Sequence, residues 1–130
     1  MKTSSAKAKC RRCSVDAKKF LVEKIGIKED HITVTPSGVP GDDLVLTEEA
    51  KLKFPFRIEN KNTEKLNIWK AFEQLDKRIK KDELKCVFFK RNKSDLYIAM
   101  LANDLSIFLE IIKYQTRKLS EEKNVSGFSD

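Results

Sequence analysis

Gly41-Asp42-Asp43-Leu44-Val45-Leu46, followed after a short connection by Phe54-Pro55-Phe56-Arg57-Ile58-Glu59-Asn60-Lys61, is the stretch from which the fold of this chain is read. Both runs are apolar and strand-like, yet each carries charge where a wholly buried strand would not. Successive side chains of a strand point to opposite faces. Leu44 and Leu46 therefore share one face, and Asp43 and Val45 share the other. In the second run Phe54, Phe56 and Ile58 face one way, while Arg57, Glu59 and Lys61 face the other. The two runs are expected to pair as an antiparallel hairpin centred near Lys51, with Asp43 opposite Glu59. Directly opposed residues share a face and sit roughly 5 Å apart. Two carboxylates and a lysine would then converge on one patch, and the phenylalanines would enter a core.

Neighbouring carboxylates repel, so leaving them unpaired is unfavourable. A divalent cation relieves the repulsion, and Mg²⁺ typically uses one or two carboxylates plus waters and phosphate oxygens. A lysine beside such an ion can hold a water or stabilise charge on a scissile phosphate. A solvated strand face with cross-strand ion pairs would give the same spacing, since charged residues line the wet side of a sheet.

Asp43 on one strand and Glu59-Asn60-Lys61 on the next resemble the signature of the PD-(D/E)xK nucleases, which have the restriction-endonuclease-like fold. The longer run Phe54 to Asn62, followed by Leu66-Asn67-Ile68-Trp69-Lys70-Ala71-Phe72-Glu73-Gln74, is similar to small phage-encoded endonucleases. Those in turn resemble Holliday-junction resolvases. The similarity covers Lys9 to Ala102 and is sharpest between Gly41 and Gln74. The resemblance implies a Mg²⁺-dependent DNA endonuclease, with Mn²⁺ as a substitute ion. Asp43 and Glu59 would hold the metal, helped by the main-chain carbonyl of Asn60. Lys61 would orient the hydrolytic water or stabilise the pentavalent transition state, and no protein nucleophile is required. Lys70 and Gln74 would lie toward the nucleic acid, with Gln74 supporting the active site. A resolvase of branched DNA needs two active sites, which implies a symmetric homodimer. The amino-terminal helix has no evident match to the acidic or amide residue that many relatives place there.

Composition sets outer bounds. A chain of 130 residues is expected to form a single domain with a real core. Its formal net charge of +7 favours a polyanionic partner such as DNA, although basic proteins also bind membranes and acidic proteins. No segment approaches the length needed to span a bilayer, and no signal-peptide apolar run follows Met1. The expected location is the cytoplasm of a cell or of a phage-infected host. Three cysteines are an odd count that argues against a disulfide framework. Cys10-Arg11-Arg12-Cys13 has half the spacing of a zinc knuckle, but only Cys86 and His31 remain to complete it. Cys86 lies in an apolar run and reads as core. With His31 as its only histidine, the chain does not suggest a nucleophilic triad.

Residues 1–12 are short of apolar side chains and rich in Lys and Arg, which makes Arg11 and Arg12 candidates for phosphate contact. A solubilising tail would look the same. Ser14 is expected to cap a helix that packs through Ala17, Phe20, Leu21 and Lys24 and stops at Gly26. Asp16 and Glu23 lie along one stripe beside that face, either as surface carboxylates or as approaches to the metal site. His31 to Thr35 reads as the first strand, and Pro36 to Gly41 as a turn cluster that is not a P-loop. Leu66 to Lys81 is the clearest helix. Ile68, Phe72, Leu75 and Ile79 should pack on the sheet with Trp69 beside them, while Asn67, Lys70 and Gln74 form a polar stripe. That wheel sets Gln74 far from the apolar face. Lys77 to Lys81 is basic, and Lys90 and Arg91 extend the positive charge as candidate phosphate contacts. Leu84–Phe89 and Leu96–Leu101 read as two further strands. Asn103 or Asp104 is expected to cap a last helix, and residues 116–130 to fray.

The expected order is helix, three strands, helix, two strands, helix. It fits an α/β, restriction-endonuclease-like sandwich with a central mixed sheet of about five strands flanked by helices. A DNA-binding or regulatory module that keeps this fold without the chemistry is the alternative, and RNA or tRNA processing is a third reading.

Overall fold

The computed structural model describes residues 12–36 and 42–128, and leaves out the side chains of 124–128. The chain is mixed α/β, with a three-stranded mixed sheet, a separate two-stranded antiparallel sheet and helices around them. Residues 12–20 are α-helical and run into a π-helical turn, Leu21–Ile25; together these form α1. Cys13, Ala17 and Leu21 recur every fourth residue and are fully buried, so one stripe of the helix meets the core. Gly26 ends it at φ 87°, a left-handed conformation that glycine adopts without a Cβ clash. Ser14 is not its cap. It lies inside the helix and is buried. Lys24 is exposed, not part of the packing face.

β1 (Ile32–Val34) and β2 (Leu44–Leu46) pair antiparallel with Ile32 opposite Leu46 and Val34 opposite Leu44. The ladder continues through the Thr35 N–H, which donates to the Asp43 carbonyl at 2.9 Å. The expected hairpin between β2 and β3 does not form. Residues read as a plain connection make a helix, α2 (Glu48–Lys53). Thr47 caps it by accepting the Ala50 N–H at 3.2 Å. Glu48 and Glu49 sit in the first turn and Lys51 and Lys53 in the last, as the helix dipole favours.

β3 (Phe56–Asn62) instead pairs in parallel with β4 (Leu84–Lys90), in register from Phe56 opposite Leu84 to Asn62 opposite Lys90. A parallel pair needs a crossover, and α3 (Ile68–Asp76) supplies it. β5 (Tyr97–Met100) adds antiparallel to β4 as an edge strand. The five expected strands are therefore divided three and two. α2 separates β2 from β3 in sequence and leaves the two strands adjacent but outside one ladder.

Helices cover both faces of the three-stranded sheet. On one face Phe54, Phe56, Ile58, Cys86 and Phe88 pack with Cys13, Ala17 and Leu21 of α1 and with Ile32, Leu44 and Leu46 of the small sheet. Phe54 is central, with ring centroids 4.5 Å from Phe56 and 5.7 Å from Phe108. On the other face Val87 meets Ala71 and Leu75 of α3, flanked by Ile68, Phe72 and Phe89. α3 is shorter than the expected 66–81 span, and Trp69 is 78% exposed, not packed beside the apolar stripe.

α4 (Ala102–Phe128) extends well past Thr116. The frayed tail expected from 116 is helical up to residue 128, because Arg117 to Lys123 is made of helix formers apart from Ser120. Arg117 and Glu121, and Lys118 and Glu122, stand four residues apart and can support each other. Asp104 does not cap α4. It lies within the helix, is buried, and accepts the Lys85 N–H at 3.1 Å, which ties α4 to the sheet. Gln115 donates to the Leu52 carbonyl at 2.6 Å and ties it to α2. No helix among the described residues is long and apolar enough to cross a membrane.

Candidate functional site

The polar face of β3 is built by alternation. Arg57, Glu59 and Lys61 point away from the phenylalanine core, and the Lys61 ammonium lies 3.8 Å from Glu59. β2 delivers Asp42 and Asp43 to the same place from the side. Asp43, Glu59, Gln74, Lys77 and Arg78 line one open cavity of about 440 Å³. Lys61 and Gln74 open onto a smaller neighbouring cavity of about 160 Å³, together with Thr63, Leu66, Asn67 and Lys70. Asp43 and Glu59 therefore line one cavity, and Lys61 lies beside Glu59, without the hairpin register from which their proximity was expected.

Two arginines balance the acids. Arg78 donates to Glu59 Oε2 at 2.7 Å, and its Nε lies 2.8 Å from Asp42 Oδ1. Arg57 pairs with Asp42 and, at 3.1 Å, with Glu83. Burial works against the Arg57 charge, but hydrogen bonds and attraction from Asp42 and then Glu83 push its pKa up. Asp43 is different. Its carboxylate makes no hydrogen bond or close ion pair with a described residue. Its pKa is raised above the usual carboxylate range, mainly by burial, with Asp42 adding repulsion and Arg78 and Lys61 opposing. An incompletely neutralised, half-buried carboxylate beside Glu59 is the feature of this site that fits a cation.

Among the described residues no set of three His, Cys, Asp or Glu side chains is grouped as a metal cage. Two carboxylates are enough for Mg²⁺ when water and phosphate complete the shell, so Asp43 and Glu59 fit that ion if Arg78 yields its hold on Glu59. The Asn60 side chain points to the core face, 1% exposed, and neither of its polar atoms finds a partner. Only its main-chain carbonyl remains available to a metal.

The outlying candidates are dispersed. Asp16 does not approach the carboxylates; it pairs with Lys90 at 2.6 Å. Glu23 is exposed on α1. Lys70 and Gln74 line the small cavity beside Lys61, and Gln74, half-buried and outside the apolar cluster between α3 and the sheet, also lines the carboxylate cavity. Arg91 lines a third cavity with Lys90, and Arg12 is exposed at the start of the described helix. Arg11, Cys10 and the turn residues 37–41 lie outside the described residues. Cys13 and Cys86 are both buried; the Cys13 thiol donates to the Lys61 carbonyl at 3.5 Å, and burial pushes the Cys86 pKa up, with Asp104 adding to it.

Sequence reading missed Asp42 and Arg78. Arg78 stands four residues after Gln74, one turn on along the same stripe, and that spacing was the available signal. Comparison with protein-family models, with curated protein sequences and with solved structures gives no match for this chain.

Proposed function

We propose that this protein is a Mg²⁺-dependent DNA endonuclease of the PD-(D/E)xK type with a restriction-endonuclease-like core. The observation that carries the reading is the convergence of Asp43, Glu59, Lys61 and Gln74 from β2, β3 and α3 on adjoining cavities. The β3–α3–β4 crossover supports it, because it holds the motif strand and the helix after it in one rigid unit. A bound Mg²⁺ would lower the pKa of its water and neutralise charge on the phosphate. Asp43 and Glu59 would hold it, with the Asn60 carbonyl alongside. Lys61 supplies a fixed positive charge 3.8 Å from Glu59, placed to orient water or stabilise the negative charge that grows at phosphorus. Lys70 and Lys77, on the rims of the two cavities, face an incoming phosphate backbone. Resolution of branched DNA would need two such sites and so a symmetric pair of chains.

The test is cleavage of four-way junction, duplex and single-stranded DNA by purified protein with Mg²⁺ or with EDTA. Glu59→Gln removes a metal-holding charge at nearly constant size, and cleavage should fall by orders of magnitude while DNA binding persists. Lys61→Ala should slow cleavage and leave Mg²⁺ binding in place. Full cleavage by Glu59→Gln, with contaminating nuclease excluded, would remove this site from the mechanism. DNA binding with no cleavage by any form would establish the non-catalytic binding module instead.

A further inference from the structure

Lys61 stands opposite Phe89 in the β3–β4 ladder, and Phe89 stands opposite Tyr97 in the β4–β5 ladder. Opposed residues share a face, so one row runs across the sheet from the site lysine to two aromatic rings. Strands are spaced by about 4.8 Å, which puts the edge strand about 10 Å from β3. The rings of Phe89 and Tyr97 are stacked, with centroids 5.5 Å apart and planes at 19°, and Tyr97 is 54% exposed. Both rings line an open cavity of about 760 Å³ whose apolar wall is completed by Leu66 and Ile68.

This cavity sits where the parallel strands β3 and β4 end and α3 begins, the position at which α/β units take ligands. It neighbours the acidic site through the small cavity, which shares Thr63 and Leu66 with it and Gln74 with the carboxylate cavity, and which Lys61 also lines. Its charged lining is sorted. Lys90 is paired with Asp16, and Glu64 accepts the Asn92 N–H at 3.2 Å. The Arg91 guanidinium makes no hydrogen bond or ion pair with a described residue. An apolar aromatic wall with a free cation at its rim suits a planar base followed by a phosphate. Stacking on such a wall tolerates any base, because every base has a π-face. Within a duplex that face is covered by neighbouring base pairs, so only a base outside the stack can use it.

We infer that the Phe89–Tyr97 cavity binds one unpaired base of a DNA strand, with Arg91 on its phosphate, next to the phosphate held at Lys61. The inference rests on the reading of that face as a nucleic-acid site, and it names the substrate class as DNA with an unpaired nucleotide beside the scissile bond. Tyr97 and Arg91 are specificity residues here and take no part in the chemistry.

The test compares a blunt duplex with the same duplex carrying a short single-stranded extension, by fluorescence anisotropy in EDTA. The extension carries 2-aminopurine, whose emission is quenched by stacking. The extended substrate should bind about tenfold more tightly, with quenching. Tyr97→Ala should reduce its affinity to that of the blunt duplex, Tyr97→Phe should retain the preference, and Arg91→Ala serves in its place if Tyr97→Ala does not fold. Equal affinity for both substrates, or a preference that survives both alanine variants, overturns the inference, as does displacement by an acidic peptide with no binding of DNA. Cleavage with Mg²⁺ on the same substrates separates the two readings. Cleavage without preference removes the cavity's role and leaves the nuclease. Preference without cleavage leaves the cavity's role and removes the nuclease.

Discussion

Arg78 occupies the place where a metal-dependent site would need negative charge to be free. Its guanidinium bridges Asp42 and Glu59 at 2.8 and 2.7 Å, and both carboxylates are largely buried, at 13% and 7% exposure. Removing one partner of a buried pair commonly costs 3–5 kcal/mol, because the remaining charge is stranded. The Arg78 side chain is itself 32% exposed, Asp42 keeps Arg57, and Glu59 keeps Lys61 at 3.8 Å. Arg78→Gln should therefore destabilise the metal-free protein by only about 1–3 kcal/mol, seen as a fall of several degrees in Tm. The variant should also gain more stability than wild type from added Mg²⁺, because Glu59 no longer has to release a guanidinium before it meets the ion. Ligand binding stabilises by RT ln(1 + [L]/Kd), so a tenfold tighter site returns up to about 1.4 kcal/mol at saturating Mg²⁺. Thermal unfolding of both proteins across a Mg²⁺ series reads this directly. A gap between them that is the same at every Mg²⁺ concentration would refute the competition, and Arg78 would be a structural counter-ion only.

Asp43 gives a pH prediction. Its raised pKa, caused mainly by burial, means the folded state holds that proton more tightly than the unfolded chain. The associated stability is fully present below the ordinary aspartate pKa and is lost as pH rises through the raised folded value. Asp43→Asn should remove that loss, so the variant should exceed wild type in stability at neutral pH without Mg²⁺, and fall behind it once Mg²⁺ is added. Gly26→Ala meets no atom within 4 Å, so only the left-handed φ opposes it, and urea unfolding should show a loss of about 1 kcal/mol. DNA affinity should fall steeply across a salt series, since phosphate neutralisation releases counterions, and a flat response would point to a protein partner. Leu105, Leu109, Ile112 and Leu119 are exposed along one stripe of α4, which is the surface to test for the proposed pairing of chains. Leu109→Glu with Ile112→Glu should abolish a dimer in sedimentation while leaving the monomer folded.

Much of the architecture is visible in local pattern, because period and burial act within one element. The alternation of Phe54, Phe56 and Ile58 against Arg57, Glu59 and Lys61 is a property of β3 alone, and it holds whichever strand lies beside it. The pairing partner is a long-range choice. Only α2, six residues with a threonine cap, separates a β2–β3 hairpin from the observed β1–β2 pair and β3–β4 parallel ladder. Trp69 shows the other limit. It neighbours the apolar stripe of α3 in sequence, but α3 meets the sheet through Ala71 and Leu75, flanked by Ile68 and Phe72, and the indole lies off that face and is exposed.

The charge balance of the site was the least legible part, and it bears on what the site can do. Asp42, Arg57, Arg78 and Glu83 are scattered over the sequence, and nothing in their spacing says that they meet. Their meeting explains why the site tolerates so many carboxylates. Asp42 is held between two arginines, Glu83 is held by Arg57 and, at 3.8 Å, Lys51, and Glu59 has Arg78 and Lys61. Of these acids, the Asp43 carboxylate alone has no direct partner among the described residues. A site selected only for stability would gain by neutralising that position, because an ionised group losing water without a partner is unfavourable. A site that takes up a cation has the opposite requirement: one carboxylate must stay unsatisfied in the free protein so that binding relieves it. Under the proposed function Glu59 would become the second ligand by giving up Arg78 for the ion, and the guanidinium, which also contacts Asp42, would stay beside the cavity. On that reading Asp43 and Arg78 would act together, and substitutions at the two positions should be strongly non-additive in Mg²⁺ affinity. Simple additivity in the Asp43→Asn, Arg78→Gln double mutant would separate them and return Arg78 to the role of a fixed counter-ion.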